Sequence, residues 1–135
     1  MNQHNPNNLK EFKYNFNRIH SLKLKNFRSY NDLKCSFNQG PVVLLGSNGS
    51  GKTNILEALS LLSPGRGLRN ASFDQFRNIK GPNEWGIIAE ISSEDQLIKI
   101  STGVSAGRLR GRDVKMNDKK VTGPIALPSV LSLSW

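Results

Sequence analysis

The chain has 135 residues, 36% of them hydrophobic, which is enough for one domain with a thin core and too few for two. Nineteen basic residues against ten acidic ones give a net charge of +9 and a pI of about 10.1, pointing to an anionic partner, nucleic acid before others. No apolar run reaches membrane-spanning length, the first residues lack a signal-peptide core, and the single cysteine, Cys35, excludes an internal disulfide, so a cytoplasmic protein with no membrane partner is expected.

Residues 1–17 are rich in asparagine and carry no sustained period; they read as a disordered tail preceding the one domain, 18–135. Phe12, Tyr14 and Phe16 alternate and could extend the first strand backwards. From Arg18 to Phe27 a strand is expected, with Leu22 and Leu24 on one face and Ser21, Lys23 and Lys25 on the other. Asn31 and Asp32 supply a turn, and Leu33, Cys35 and Phe37 then alternate as a second half-buried strand. Cys35 faces the core in this reading, with no reactive role.

After the break at Gln39, Gly40 and Pro41, the run Val42 to Leu45 reads as a strand buried on both faces. Gly46, Ser47, Asn48, Gly49, Ser50, Gly51, Lys52 and Thr53 follow it and fit the phosphate-binding pattern G-x-x-x-x-G-K-[ST]. Asn54 to Leu62 continue as a helix. The glycines let backbone amides approach phosphate oxygens, and the helix aims its N-terminal amides and dipole at the same charge. Lys52 suits the β- and γ-phosphates of a nucleotide, and the Thr53 hydroxyl suits Mg²⁺. The helix is too apolar for a one-faced surface helix, and Glu57, its main charge, reads as solvent-facing or ion-paired.

Pro64 and Gly65 stop the helix, and the irregular stretch 65–72 carries Arg66 and Arg69. Phe73 to Ile79 suggest a short helical turn. Trp85, Ile87, Ala89 and Ile91 form one face of a strand, and Leu97 to Val104 its antiparallel partner, with Ile98, Ile100 and Val104 inward. Residues 105–121 hold the densest charge, with Arg108, Arg110 and Arg112, and a small hairpin turning at Asn117 and Asp118. Pro124 and Pro128 precede a last apolar segment, Val130, Leu131 and Leu133, before Trp135.

Three pieces in order, L-K-L-K-N-F-R-S-Y at 22–30, N-G-S-G-K-T-N-I-L-E-A-L at 48–59 and G-R-G-L-R at 65–69, resemble the start of the RecF family of bacterial DNA replication and repair proteins. The late L-P-S-V-L-S-L segment fits the same pattern. The resemblance spans about residues 18–135 and covers roughly the N-terminal third of a full-length member. It implies an α/β fold, a P-loop NTPase of the ABC-ATPase head type related to SMC and Rad50. The sheet would be incomplete and mixed, with a buried phosphate-loop strand plus antiparallel β hairpins. It further implies ATP and Mg²⁺ in the loop Gly46 to Thr53, and a nucleotide contact from Arg28 and Ser29. At Arg66 and Arg69 it implies either DNA contact or structural pairing. Arg108, Arg110 and Arg112 suit phosphates by their chemistry, though a solvated loop explains them as well. The implied partners are DNA, at a single-strand gap or double-stranded, a second copy in an ATP-dependent dimer, and recombination mediator proteins.

The departures bear on catalysis. No apolar strand ending in paired acids follows residue 62, and no L-S-x-G signature is present, so the Mg²⁺-holding aspartate, the water-activating glutamate and the signature motif are missing. Asp113 and Asp118 sit in polar turns and cannot substitute. Phosphoryl transfer rests on positioning and charge stabilisation, so half a site gives almost no turnover. The chain reads as a truncated member or gene fragment, its Val42–Leu45 edge and Leu56, Leu59 and Leu62 lacking cover, and it is expected to be poorly stable. Other readings are a Rad50-like head, a nucleotide kinase, whose loop strand usually comes first, and an inactive remnant. A GTPase is disfavoured because no N-K-x-D motif occurs.

Overall fold

The computed structural model describes residues 17–93, 96–108 and 110–122. The expected tail up to residue 16, with its alternating aromatics, and the segment from Pro124 to Trp135 lie outside the described residues. Among the described residues six strands make one sheet in the order β2-β1-β3-β4-β5-β6. They are β1 (Arg18–Phe27), β2 (Tyr30–Ser36), β3 (Trp85–Ser93), β4 (Gln96–Val104), β5 (Asp113–Met116) and β6 (Lys119–Lys120). Every pairing is antiparallel. One helix, α1 (Lys52–Ser60), and a 3-10 turn, Phe73–Phe76, belong to the long connection between β2 and β3.

The period-two pattern decides which face is covered. Leu22, Leu24, Ile87, Ala89, Ile91 and Ile100 all point inward and are at most 1% exposed. Ala58, Leu61 and Leu62, on and just after α1, are fully buried with them. Phe27, Phe76 and Trp85 close one end: Phe27 stacks on Phe76 at 5.7 Å between centroids, and Trp85 meets both edge-on at 5.6 and 5.5 Å. The Trp85 indole N–H donates to the Phe73 carbonyl at 2.6 Å, so the 3-10 turn is tied to the start of β3.

Four expectations are corrected. The first hairpin turns at Arg28 and Ser29, because the register pairs Phe27 with Tyr30; Asn31 and Asp32 lie within β2. Polar residues one position into a strand mimic a turn signal, and here Asn31 accepts a hydrogen bond from Asn78 at 2.9 Å. Among the described residues the sheet is antiparallel throughout rather than mixed. The buried strand at Val42–Leu45 is absent: residues 41–47 have no regular structure, and Val42, Val43 and Leu45 are 53%, 75% and 88% exposed. An apolar run becomes a buried strand only with ladder partners, and among the described residues no strand lies beside it. Of the three leucines expected to lack cover, Leu56 is 51% exposed and Leu59 half-buried, but Leu62 is fully buried in the core beside Leu61.

Candidate functional site

Gly51 caps α1 with φ 97° and Gly49 turns at φ 81°, so the loop doubles back before the helix starts. Inside it, the Ser50 amide donates to the Ser47 carbonyl at 3.1 Å, and the Asn54 and Ile55 amides donate to Gly51 at 3.0 and 3.2 Å. The amides of Asn48, Gly49, Gly51, Lys52 and Thr53 meet no acceptor among the described residues. The first turn of α1 carries no acidic side chain to occupy them. Lys52 folds its ammonium back onto the carbonyls of Gly46 and Ser47, the latter at 2.8 Å, and the Thr53 side chain stands at the surface. A run of free amides beside one lysine ammonium suits an anion with several oxygens, and these residues fit a nucleotide phosphate chain. Among the described residues no group of three His, Cys, Asp or Glu gathers for a metal.

The β1–β2 turn packs directly on this loop. A Cβ on Gly51 would fall 2.5 Å from the Tyr30 hydroxyl and 2.9 Å from Ser29 Oγ, so both space and backbone angle require glycine there. Asn54 Nδ2 donates to Ser29 Oγ at 3.0 Å. Arg28, expected beside Ser29 at the nucleotide, turns instead to α1: Nε and Nη2 donate to the two Glu57 carboxylate oxygens at 2.8 and 2.9 Å. Glu57 is completely buried in that pair.

The five arginines divide. Arg112 turns inward and caps α1, donating to the carbonyls of Leu61, Ser63 and Gly65 and to the Thr102 hydroxyl, with its guanidinium 5.5 Å above the Phe73 ring. Burial lowers its pKa to about 10, which leaves it charged at neutral pH. Arg108 donates to Asp113 at 2.5 Å. Arg66, Arg69 and Arg110 are exposed and make no side-chain bond among the described residues. Arg112 ties the β4–β5 loop to Ser63 and Gly65, just past the C-terminal end of α1 and away from the loop Gly46–Thr53. Past α1 the chain folds closely: Leu68 N donates to Ser60 Oγ at 2.8 Å, and a Cβ on Gly67 would lie 2.8 Å from that oxygen.

A second basic feature needed the sheet order to assemble. The register aligns Lys34, Lys23, Ile88, Ser101, Lys115 and Lys120 in one row across the outer face. The row crosses a concavity of about 440 Å³ whose lining includes Lys25, Gly86 and Gly103. Alternation marks Lys23 and Lys25 as outward, but which strands flank β1 is not written in that period.

A family model described as an AAA domain matches residues 21–123. The DNA replication and repair protein RecF of Rhizobium rhizogenes is 37% identical over 118 residues, covering 87% of this chain and 32% of the relative. RecF of Brucella abortus (strain 2308) is 45% identical over 103 residues, covering 73% and 26%. The chain therefore spans about a third or less of the curated relatives it matches. Among solved structures, the recombination mediator protein RecF with ATP superposes with a TM-score of 0.76 at 24% identity, over 87% of this chain and 31% of that one. A structure from work on ATP-driven dimerisation and DNA-stimulated activation of SMC ATPases gives 0.62 at 21% identity, over 77% and 72%. The fold is that of RecF and SMC ATPase heads, present in part.

Proposed function

The chain belongs to the AAA domain family and is homologous to the N-terminal region of RecF, and from that premise we propose that it is the ATP-binding segment of a RecF-like DNA replication and repair protein. The observation that carries this reading is the loop Gly46 to Thr53, with its unopposed amides ahead of α1 and Lys52 folded over it. Gly46, Ser47, Asn48, Gly49, Ser50 and Gly51 would wrap the phosphate chain. Lys52 would exchange its two carbonyl partners for phosphate oxygens, and Thr53 would hold Mg²⁺. Ser29 is near enough to the loop to join the nucleotide contacts, while Arg28 serves the turn.

DNA is the polyanion that suits the net charge of +9. Arg66, Arg69, Arg108 and Arg110 and the lysine row on the outer sheet face are its candidate contacts. They would neutralise phosphates and so position the protein without reading sequence. An ATP-dependent dimer on DNA and the engagement of recombination mediators belong to the same proposal. Turnover by this chain is not part of it, since no paired acids or signature motif follow residue 62.

The test is a calorimetric MgATP titration of the chain and of Lys52→Ala. Saturable binding by the wild type, weakened by about tenfold or more in the variant, is the expected result. Equally poor binding by both would remove the nucleotide reading and leave an inactive remnant.

A further inference from the structure

Arg28 has a backbone of φ 51°, a left-handed conformation that a non-glycine residue keeps only when its surroundings impose it. Four contacts impose it here. Its amide donates to the Phe76 carbonyl at 2.7 Å. Its guanidinium grips Glu57 with two bonds, donates through Nη1 to the Gln75 carbonyl at 2.9 Å, and lies 5.0 Å above the Phe76 ring. Glu57, fully buried, sits five residues after Lys52 on α1. A carboxylate withdrawn from water this completely is tolerable only with a bidentate cation, and removing either partner strands the other.

The two residues after Arg28 touch the phosphate loop. Ser29 accepts from Asn54, the Tyr30 hydroxyl reaches the Ser50 carbonyl at 3.5 Å, and both crowd Gly51. The ion pair and the loop contacts thus lie at two ends of one short rigid turn. We propose that Arg28 and Glu57 form a strut that presses the Ser29–Tyr30 turn onto Gly51 and so shapes the phosphate loop before any nucleotide arrives. Both are positioning residues that act through the turn. This rests on the reading of Gly46–Thr53 as the nucleotide site, and it assigns Glu57 a part that a solvent-facing or merely ion-paired carboxylate does not have.

Four proteins test it: the 135-residue chain, Glu57→Gln, Asn54→Ala and Lys52→Ala. Each is titrated with MgATP, and amide hydrogen exchange is followed without nucleotide. A contact network of this kind couples by factors of several to about a hundred, so Glu57→Gln is expected to weaken MgATP about tenfold. Asn54→Ala, which removes only the bond to Ser29, should weaken it about threefold with an unchanged unfolding midpoint. In Glu57→Gln the hydrogen-bonded amides of the loop and first helical turn, Ser50, Asn54 and Ile55, should exchange faster while those of β3 and β4 keep their protection. A merely structural pair would instead accelerate exchange across the sheet and leave affinity intact among folded molecules, and that result overturns the proposal. If Glu57→Gln does not fold, Asn54→Ala decides: unchanged affinity overturns the strut. If the wild type binds no MgATP, the nucleotide reading falls separately, and selective or uniform exchange in Glu57→Gln still decides whether the strut exists.

Discussion

Replacing Arg112 by alanine should cost the fold far more than an exposed arginine would. The guanidinium satisfies the carbonyls of Leu61 and Ser63, residues only 0% and 8% exposed, and that of Gly65, which faces solvent. After truncation the Gly65 carbonyl rehydrates, while the two inner carbonyls are left unmet at about 1–3 kcal/mol each. Loss of the Phe73 contact adds about 0.5–1 kcal/mol. Against this, truncation releases a cation that burial disfavours, as its lowered pKa of about 10 reports. The balance is a loss of about 2–3 kcal/mol, or roughly 6–12 °C in Tm for a chain of this size. Urea unfolding followed by Trp85 fluorescence, compared between wild type, Arg112→Ala and Arg112→Lys, measures it. Lysine should restore less than half, because a point charge reaches fewer of the diverging carbonyls than a planar fork does. A loss below about 0.5 kcal/mol, typical of a surface position, would refute the capping role and return Arg112 to the free arginines.

Gly51→Ala combines a disfavoured backbone angle, about 1–2 kcal/mol, with a clash on Tyr30. It should destabilise the chain and abolish nucleotide binding, and thermal unfolding beside a MgATP titration reports both. Lys34 lies directly opposite Lys23 in the β1–β2 ladder. Lys34→Thr should therefore stabilise by about 0.2–1 kcal/mol at low salt and lose that gain at high salt, as unfolding at two ionic strengths would show. The same variant should weaken DNA binding and flatten its salt dependence. The hydrogen bond from Arg108, then that from Lys120, holds the Asp113 carboxyl below the usual carboxylate range. A lowered folded-state pKa gives stability that is full above the unfolded value near 4 and is lost as pH falls through the folded one. Asp113→Asn should accordingly flatten the acid limb of the stability profile and leave its shape above pH 6 unchanged.

Legibility in the sequence followed how local each determinant is. Trp85, Ile87, Ala89 and Ile91 alternate cleanly and all four are buried. Asn117 and Asp118 turn with φ 47° and 65°, at the place their side-chain chemistry favours. The loop Gly46–Thr53 is legible as a pattern because its glycines and its unopposed amides are neighbours in the chain. Val42–Leu45 was misread because an apolar run carries no information about whether a ladder partner stands beside it. Glu57 and Arg112 could not be placed because their partners lie 29 and 51 residues away. Period and spacing describe one element at a time, whereas those pairs, like the row from Lys34 to Lys120, come into being only when the sheet order is set.

The account stands most directly on one measurement, an amide-resolved NMR titration of the chain with MgATP. The free amides of Asn48, Gly49, Gly51, Lys52 and Thr53 should move first and furthest and saturate together, and in Lys52→Ala the shifts of the loop should need about tenfold or more MgATP to saturate. Shifts confined to the lysine row of the outer sheet face, or no saturable shift anywhere, would contradict the claim that this loop is a nucleotide cradle.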